Sequence, residues 1–283
     1  MDYLELFKKM DEILAPAPCL KFKIESRNTS LFDSKIGGVP YFPKNMEFPT
    51  GKNNGFADKP LALLAQLNFE QLPHIENFPT TGILQFFIAP DNVYGMSWNF
   101  KDLTAQDNFR VVYHESIIHD ESQLMTADDI TVYSEEDGYY MPITGEYRLI
   151  PEEPCTMPVS EYDYRFGSVI VEAYNMIIDE EDEETDDSGW IMDQIPYKYF
   201  IDRNCSFEAM IGGYPKFTQF DPRQYDNKYK KYNVVLFELN SNRYPKRGID
   251  IMWGDSGTGT FMIPMEKLKA LDFSDVIYNF DCC

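Results

Sequence analysis

Two stretches of this chain, 175 residues apart, carry the same turn. Residues 35–43 read KIGGVPYFP and residues 210–217 read MIGGYPKF, so Ile-Gly-Gly-x-Pro-x-Phe occurs twice. Two more matches follow in the same order. LLAQLN (63–68) pairs with VLFELN (235–240) at an offset of 172, and GILQFFI (82–88) pairs with GTGTFMI (257–263) at 175. Three matches in one order at nearly one offset predict two copies of a single unit, spanning 18–160 and 161–283, with 1–17 in front. In each copy the paired glycines give the backbone freedom to turn and the proline stiffens the exit into extended chain. Gln66 and Asn68, two apart on a strand, point to one face.

The units are expected to be β-rich. Short apolar runs alternate with Pro, Gly and Asn clusters, which is strand-and-turn grammar. Candidate strands are Leu20–Ile24, Leu61–Leu67, Gly82–Ala89, Phe109–His114, Tyr147–Ile150, Ser168–Tyr174, Ser206–Ile211, Val234–Leu239, Ile249–Met252 and Gly259–Ile263. Aromatics make up 15% of the chain, and flat rings suit pleated, half-buried surfaces. Residues 2–14 predict an amphipathic helix: Tyr3, Leu6, Phe7, Met10, Ile13 and Leu14 share one face, Asp2 caps it and Pro16 ends it. Short helices are expected at 264–271, 121–130 and 161–166. The fold class is therefore α+β, mostly β: two similar intertwined units forming one body, with an N-terminal helix.

Charge limits the partners. A net charge of −22 repels phosphate backbones, so nucleic acid is an unfavourable partner and a basic protein or a cation a favourable one. No apolar run reaches the roughly 18 residues of a membrane span. The N-terminus shows no basic-then-apolar export signal, and the five cysteines are odd in number and widely spaced, which points to reduced thiols and a cytoplasmic location. The vicinal pair Cys282–Cys283 reads as the apolar end of a last strand or tail, with soft-metal binding as the competing use. The run DEEDEETDD (179–187) reads as a solvated loop; calcium is the rival reading, but the EF-hand spacing is not met.

Little of the chain reads as catalytic. WGDSGTGT (253–260) contains the tetrapeptide that surrounds the nucleophile of trypsin-like proteases, but a triad needs a placed base and acid, and only His74, His114 and His119 exist. The string stands where the second copy turns into its FMI strand, so a tight turn is the simpler role, with Asp255 accepting N–H bonds and Trp253 burying its ring as an anchor. His114 and His119 are five apart, not the four of a helical zinc pair, and read as two solvent-facing side chains. No nucleotide-binding motif, cofactor motif or metal-ligand set is found, and no catalytic residue is assigned. The candidate binding residues are Pro40, Tyr41 and Phe42, as a peptide-binding lip or a buried loop; Gln66 and Asn68; Asp221 and Arg223, as an internal ion pair or part of a groove; and Trp253 and Asp255.

The stretches GGVPYFP, LALLAQLNF, GILQFFI, FELNS, MWGDSGTGTFMI and the ending DFSDVIYNFDCC resemble the YwqG family of bacterial proteins, over nearly the whole chain. That family is distantly similar to the programmed-cell-death-2 proteins, which resemble dedicated chaperones of a ribosomal protein, and relatives beside secreted toxins look like immunity proteins. The resemblance implies a non-enzymatic protein-binding module, chaperone-like or immunity-like, with a basic client such as a ribosomal-protein-like or toxin-like chain. A small-ligand-binding protein, or a hydrolase using a cleft between the two units, is the alternative. The cysteine-rich zinc modules of the eukaryotic proteins are missing here.

Overall fold

Asp2 caps the first helix by accepting the N–H groups of Leu4 and Glu5, and α1 (Tyr3–Ile13) buries Leu6, Phe7 and Met10. The computed structural model describes residues 2–53, 55–97, 102–178, 184–203 and 206–283. After α1 come β1 (Ala17–Glu25), β2 (Lys35–Ile36), β3 (Ala62–Asn68), β4 (Ile83–Ile88), β5 (Phe109–His114), β6 (Tyr147–Pro151) and β7 (Cys155–Met157). Three helices follow, α2 (Phe166–Ile177), α3 (Ser188–Gln194) and α4 (Tyr197–Arg203). The chain ends with β8 (Ala209–Gly212), β9 (Val234–Asn240), β10 (Asn242–Tyr244), β11 (Ile249–Ile251), β12 (Thr258–Ile263), α5 (Met265–Lys269) and β13 (Ile277–Asp281). Among the described residues no helix is long and apolar enough to cross a membrane.

One antiparallel sheet of eleven strands runs β13-β12-β9-β8-β1-β6-β2-β3-β4-β5, with β7 on β1, while β10 and β11 pair separately. The sheet nearly closes. Near its two ends Leu103 accepts the Tyr278 N–H at 3.0 Å, and the Gln106 side chain donates to the Phe273 carbonyl at 3.0 Å and accepts the Val111 N–H. Inward-facing rings fill the space between: Phe86 stacks on Phe237 at 5.0 Å and meets Phe261 at 4.9 Å, and Phe261 stacks on Tyr278 at 4.4 Å. The centre of the sheet is β1 paired with β6; β2 then joins β6, and β8 joins β1.

Both Gly-Gly turns are left-handed, with φ of 65° and 73° at Gly37 and Gly38 and of 69° and 70° at Gly212 and Gly213. Only glycine adopts this readily. Each turn lays the following proline segment across the outer face of its neighbouring strands.

One expected strand is a helix. Ser168–Tyr174 lies within α2, where Phe166, Val169, Ile170, Ala173 and Tyr174 fall on one buried face against α1. Its β-branched run suits a strand locally, but the apolar period of three and four continues to the helix end and packing decides. Residues 161–166, expected as a short helix, form turns up to the start of α2. Of the acidic run 179–187, residues 179–183 lie outside the described residues, and with them the calcium reading.

Candidate functional site

Strands β9, β12 and β13 alternate apolar inward with polar outward. The outward set is Glu238 and Asn240, Thr258 and Thr260, Asn279 and Asp281. Pairing makes it one face: Thr260 stands opposite both Glu238 and Asn279, and Thr258 opposite both Asn240 and Asp281. Thr258 Oγ1 donates to Asn240 Oδ1 at 2.7 Å. Such a polar face would normally meet water. Here the segment after Gly213 lies over part of it. The Lys216 N–H reaches the Glu238 carboxyl at 3.1 and 3.2 Å, and the Gln219 N–H reaches Asp281 Oδ2 at 2.8 Å.

Burial pushes the Glu238 carboxyl well above the usual range, and the Lys216 N–H offsets this only in part. Burial also raises Asp281, against the N–H groups of Gln219, Thr218 and Phe220. Asp281 Oδ1 and Thr260 Oγ1 are buried with no hydrogen-bond partner among the described residues. The face thus holds two carboxyls whose pKa values burial raises, and unused polar capacity beside them.

A cavity of about 640 Å³ opens at the outer edge of β13. Asn279 and Asp281 contribute polar groups to it, and Met96, Leu103, Phe220 and Tyr229 supply apolar wall. Phe220 and Tyr225 are exposed and meet edge-on at 5.0 Å on its rim. Lys228 also lines it and is paired with Asp226 at 3.1 Å. The edge of β13 is only partly used here: the Phe280 N–H faces the Met96 thioether at 3.4 Å, a weak acceptor.

Asp221 and Arg223 are the internal ion pair, and they hold the cavity's rim. Arg223 is 1% exposed and donates to Asp221 and, at 2.8 Å, to Asp163; Asp221 also accepts the Tyr164 N–H at 3.0 Å. Burial pushes the Asp163 carboxyl up, but Arg165 and Arg223 outweigh it and hold it below its ordinary value. This buried network fixes Phe220 and Pro222 on either side of Asp221.

The other sequence-derived candidates lie elsewhere. Pro40, Tyr41 and Phe42 are buried, so this loop forms no exposed lip. Tyr41 donates its N–H to Gln66, Gln85 donates to Gln66 at 2.8 Å, and His114 bonds Gln85 at 2.9 Å. The Gln66 amide donates to the Leu31 and Asp33 carbonyls and the Asn68 amide to Phe32, so both side chains are spent on closing the fold. His114 is therefore not solvent-facing; burial pushes its pKa down to about 4. His119 is exposed, against the Phe32 ring.

Trp253 is fully buried between Tyr94 and Phe280, as an anchor should be. Asp255 is exposed, and among the described residues its carboxylate accepts no hydrogen bond. The turn is closed instead by the Gly257 N–H on the Trp253 carbonyl at 2.8 Å and by the Ser241 hydroxyl, which accepts the Trp253 N–H at 2.9 Å. Ser256, with φ of 68°, takes one of the turn's left-handed positions, and no hydrogen bond joins it to a histidine among the described residues. Among the described residues no group of three or more His, Cys, Asp or Glu side chains is placed to hold a metal ion.

Sequence reasoning passed over Tyr225, Asn279 and Asp281 as part of a site. The period-two pattern in IYNFD was the available signal. The profile of a family described as a domain of unknown function (DUF1963) matches residues 34–282. No curated protein matches the sequence.

Proposed function

Since the chain belongs to the DUF1963 family, we propose its function from the site itself: a non-enzymatic binding module for a basic protein client, chaperone-like or immunity-like, working in the cytoplasm. The observation that carries this reading is the edge of β13, flanked by an aromatic rim and by Asp281. An extended client segment can add to that edge through backbone hydrogen bonds, seat an apolar side chain in the cavity, and bring Lys or Arg to the acidic floor. The chain's net charge of −22 favours such a client at long range. The reading includes the resemblance of the chain's motifs to YwqG-type proteins and, through them, to programmed-cell-death-2 proteins.

The proposal includes an internal duplication. It is supported by the two left-handed Gly-Gly turns, by Tyr41 N–H on Gln66 beside Lys216 N–H on Glu238, and by the exchanged pairing in which β2 joins β6 while β8 joins β1. In the first unit Tyr41 and His114 complete the corresponding polar face. In the second, Lys216 and Asp281 stand there and the cavity opens.

The test is titration of the full-length protein with extended peptides that share an apolar anchor and differ in flanking charge. Basic peptides should bind, more weakly at high salt, and Phe220→Ala/Tyr225→Ala should abolish binding. Equal binding of acidic peptides, or no peptide binding, would refute the client reading. The cavity's size also suits a small ligand. A single small molecule retained through purification, with no peptide bound, would turn the reading to ligand binding.

A further inference from the structure

The geometry points to Cys19 and Cys155 as a modification site: a thiol pair that a peroxide converts to a cross-strand disulfide. Their sulfurs lie 3.2 Å apart, and the two residues are direct Cα partners in the antiparallel pairing of β1 with β7. Direct partners in such a pairing have Cα atoms about 4.5 or 5.5 Å apart. Both spacings fall inside the roughly 4.4–6.8 Å span of disulfides, so closure needs side-chain rotation and little backbone movement.

Burial assigns the order of events. Cys155 is exposed and Cys19 has no solvent exposure. The Cys155 thiolate therefore meets the oxidant. Its sulfur attacks one peroxide oxygen and the O–O bond breaks. That oxygen stays on sulfur as a sulfenic acid, and the other leaves as hydroxide, which takes up the thiol's proton to give water. The Cys19 sulfur then attacks the Cys155 sulfur. The S–S bond forms, the S–O bond breaks, and the departing hydroxide takes the Cys19 proton. Two thiols are oxidised by two electrons and one hydrogen peroxide becomes two waters. A thiol reductant reverses the product, as suits a reducing compartment.

The pair lies against the second Gly-Gly turn. Cys19 is also the partner of Gly212 on β8, and a Cβ at Gly213 would stand 3.2 Å from the Cys19 Cβ and 3.3 Å from the Met157 methyl. A disulfide here would tie the three-residue β7 to the strand that supports this turn.

The experiment treats reduced, full-length protein with hydrogen peroxide, alkylates it, and digests it without reductant. The expected product is one peptide pair joining Cys19 to Cys155, released by thiol reductant, with a melting temperature several degrees above the reduced form. Cys155→Ser changes an exposed position and should lose both the link and the rise in melting temperature. Cys19→Ser puts a hydroxyl into the core, so peptide mapping of the unaltered protein keeps the test independent of that variant. Recovery of Cys19 and Cys155 as separately alkylated peptides, arrest of Cys155 at sulfinic acid, or the same melting rise in Cys155→Ser would overturn the assignment.

Discussion

Glu238 accepts the backbone N–H of Lys216 through both carboxyl oxygens, at 3.1 and 3.2 Å, from a position with no solvent exposure. Burial raises its pKa well above the ordinary 4.5. A raised folded-state pKa means stability that is complete below the unfolded value and is lost as pH climbs through the folded one. Glu238→Gln removes that loss and keeps an oxygen for the Lys216 N–H, as Gln66 does for Tyr41. The variant should be more stable than the parent by roughly 1–3 kcal/mol near pH 8 and nearly equal to it near pH 4. Urea melts at several pH values check this; a pH-independent difference would contradict it.

His114 works in the opposite direction. Burial lowers its pKa from 6.5 to about 4, so the unfolded chain takes the proton first. Its stability contribution is present above pH 6.5 and fades as pH falls toward 4. His114→Gln should flatten this acid limb, which amounts to about 3 kcal/mol in the parent. The check is the slope of unfolding free energy against pH over that window.

The indole of Trp253 lies against the bare backbone of Gly259, where a Cβ would come 2.3 Å from Cζ2. Gly259→Ala should cost roughly 2–4 kcal/mol by overpacking. Trp253→Phe should be less harmful in that background than in the parent. A thermal-melt double-mutant cycle measures the coupling, and strict additivity would show that the ring moves aside freely.

Arg223 and Phe220 separate scaffold from contact. Arg223→Met leaves Asp163 and Asp221 without their shared buried guanidinium and should cost about 3–5 kcal/mol. Phe220→Ala/Tyr225→Ala changes two exposed rings and should alter stability by no more than about 0.5 kcal/mol per site while removing peptide binding. Calorimetry paired with peptide titration tells the two apart.

Much of the sheet was legible because its strands announce themselves by period and turn chemistry. Phe86, Phe237 and Phe261 alternate with Gln85, Glu238 and Thr260, and the Gly-Gly-x-Pro turns are written out in the sequence. Helix α1 was legible from its apolar spacing. Helix α2 was not, since VIV favours a strand until the packing of Phe166, Val169 and Tyr174 is known. The cavity was hidden for another reason. Its walls come from Met96 and Leu103, from 219–229 and from 279–282, and no local pattern links segments so far apart. Asp255 attracted interest through its glycine neighbours, yet backbone and Ser241 close that turn without its carboxylate.

The partners of β1 have a consequence for synthesis. Among the described residues, 17–25 pair with β6, β7 and β8, all drawn from 147–212. The first sheet strand to be translated therefore waits, on the order of ten seconds at ordinary elongation speeds, before any partner exists. Its Cys19, Leu20, Phe22 and Ile24, fully enclosed in the finished protein, stay uncovered for that interval. Contacts so distant in sequence also slow the final closure. In this chain the interval for which β1 stays uncovered is set by connectivity, and faster translation of residues 26–146 would shorten it.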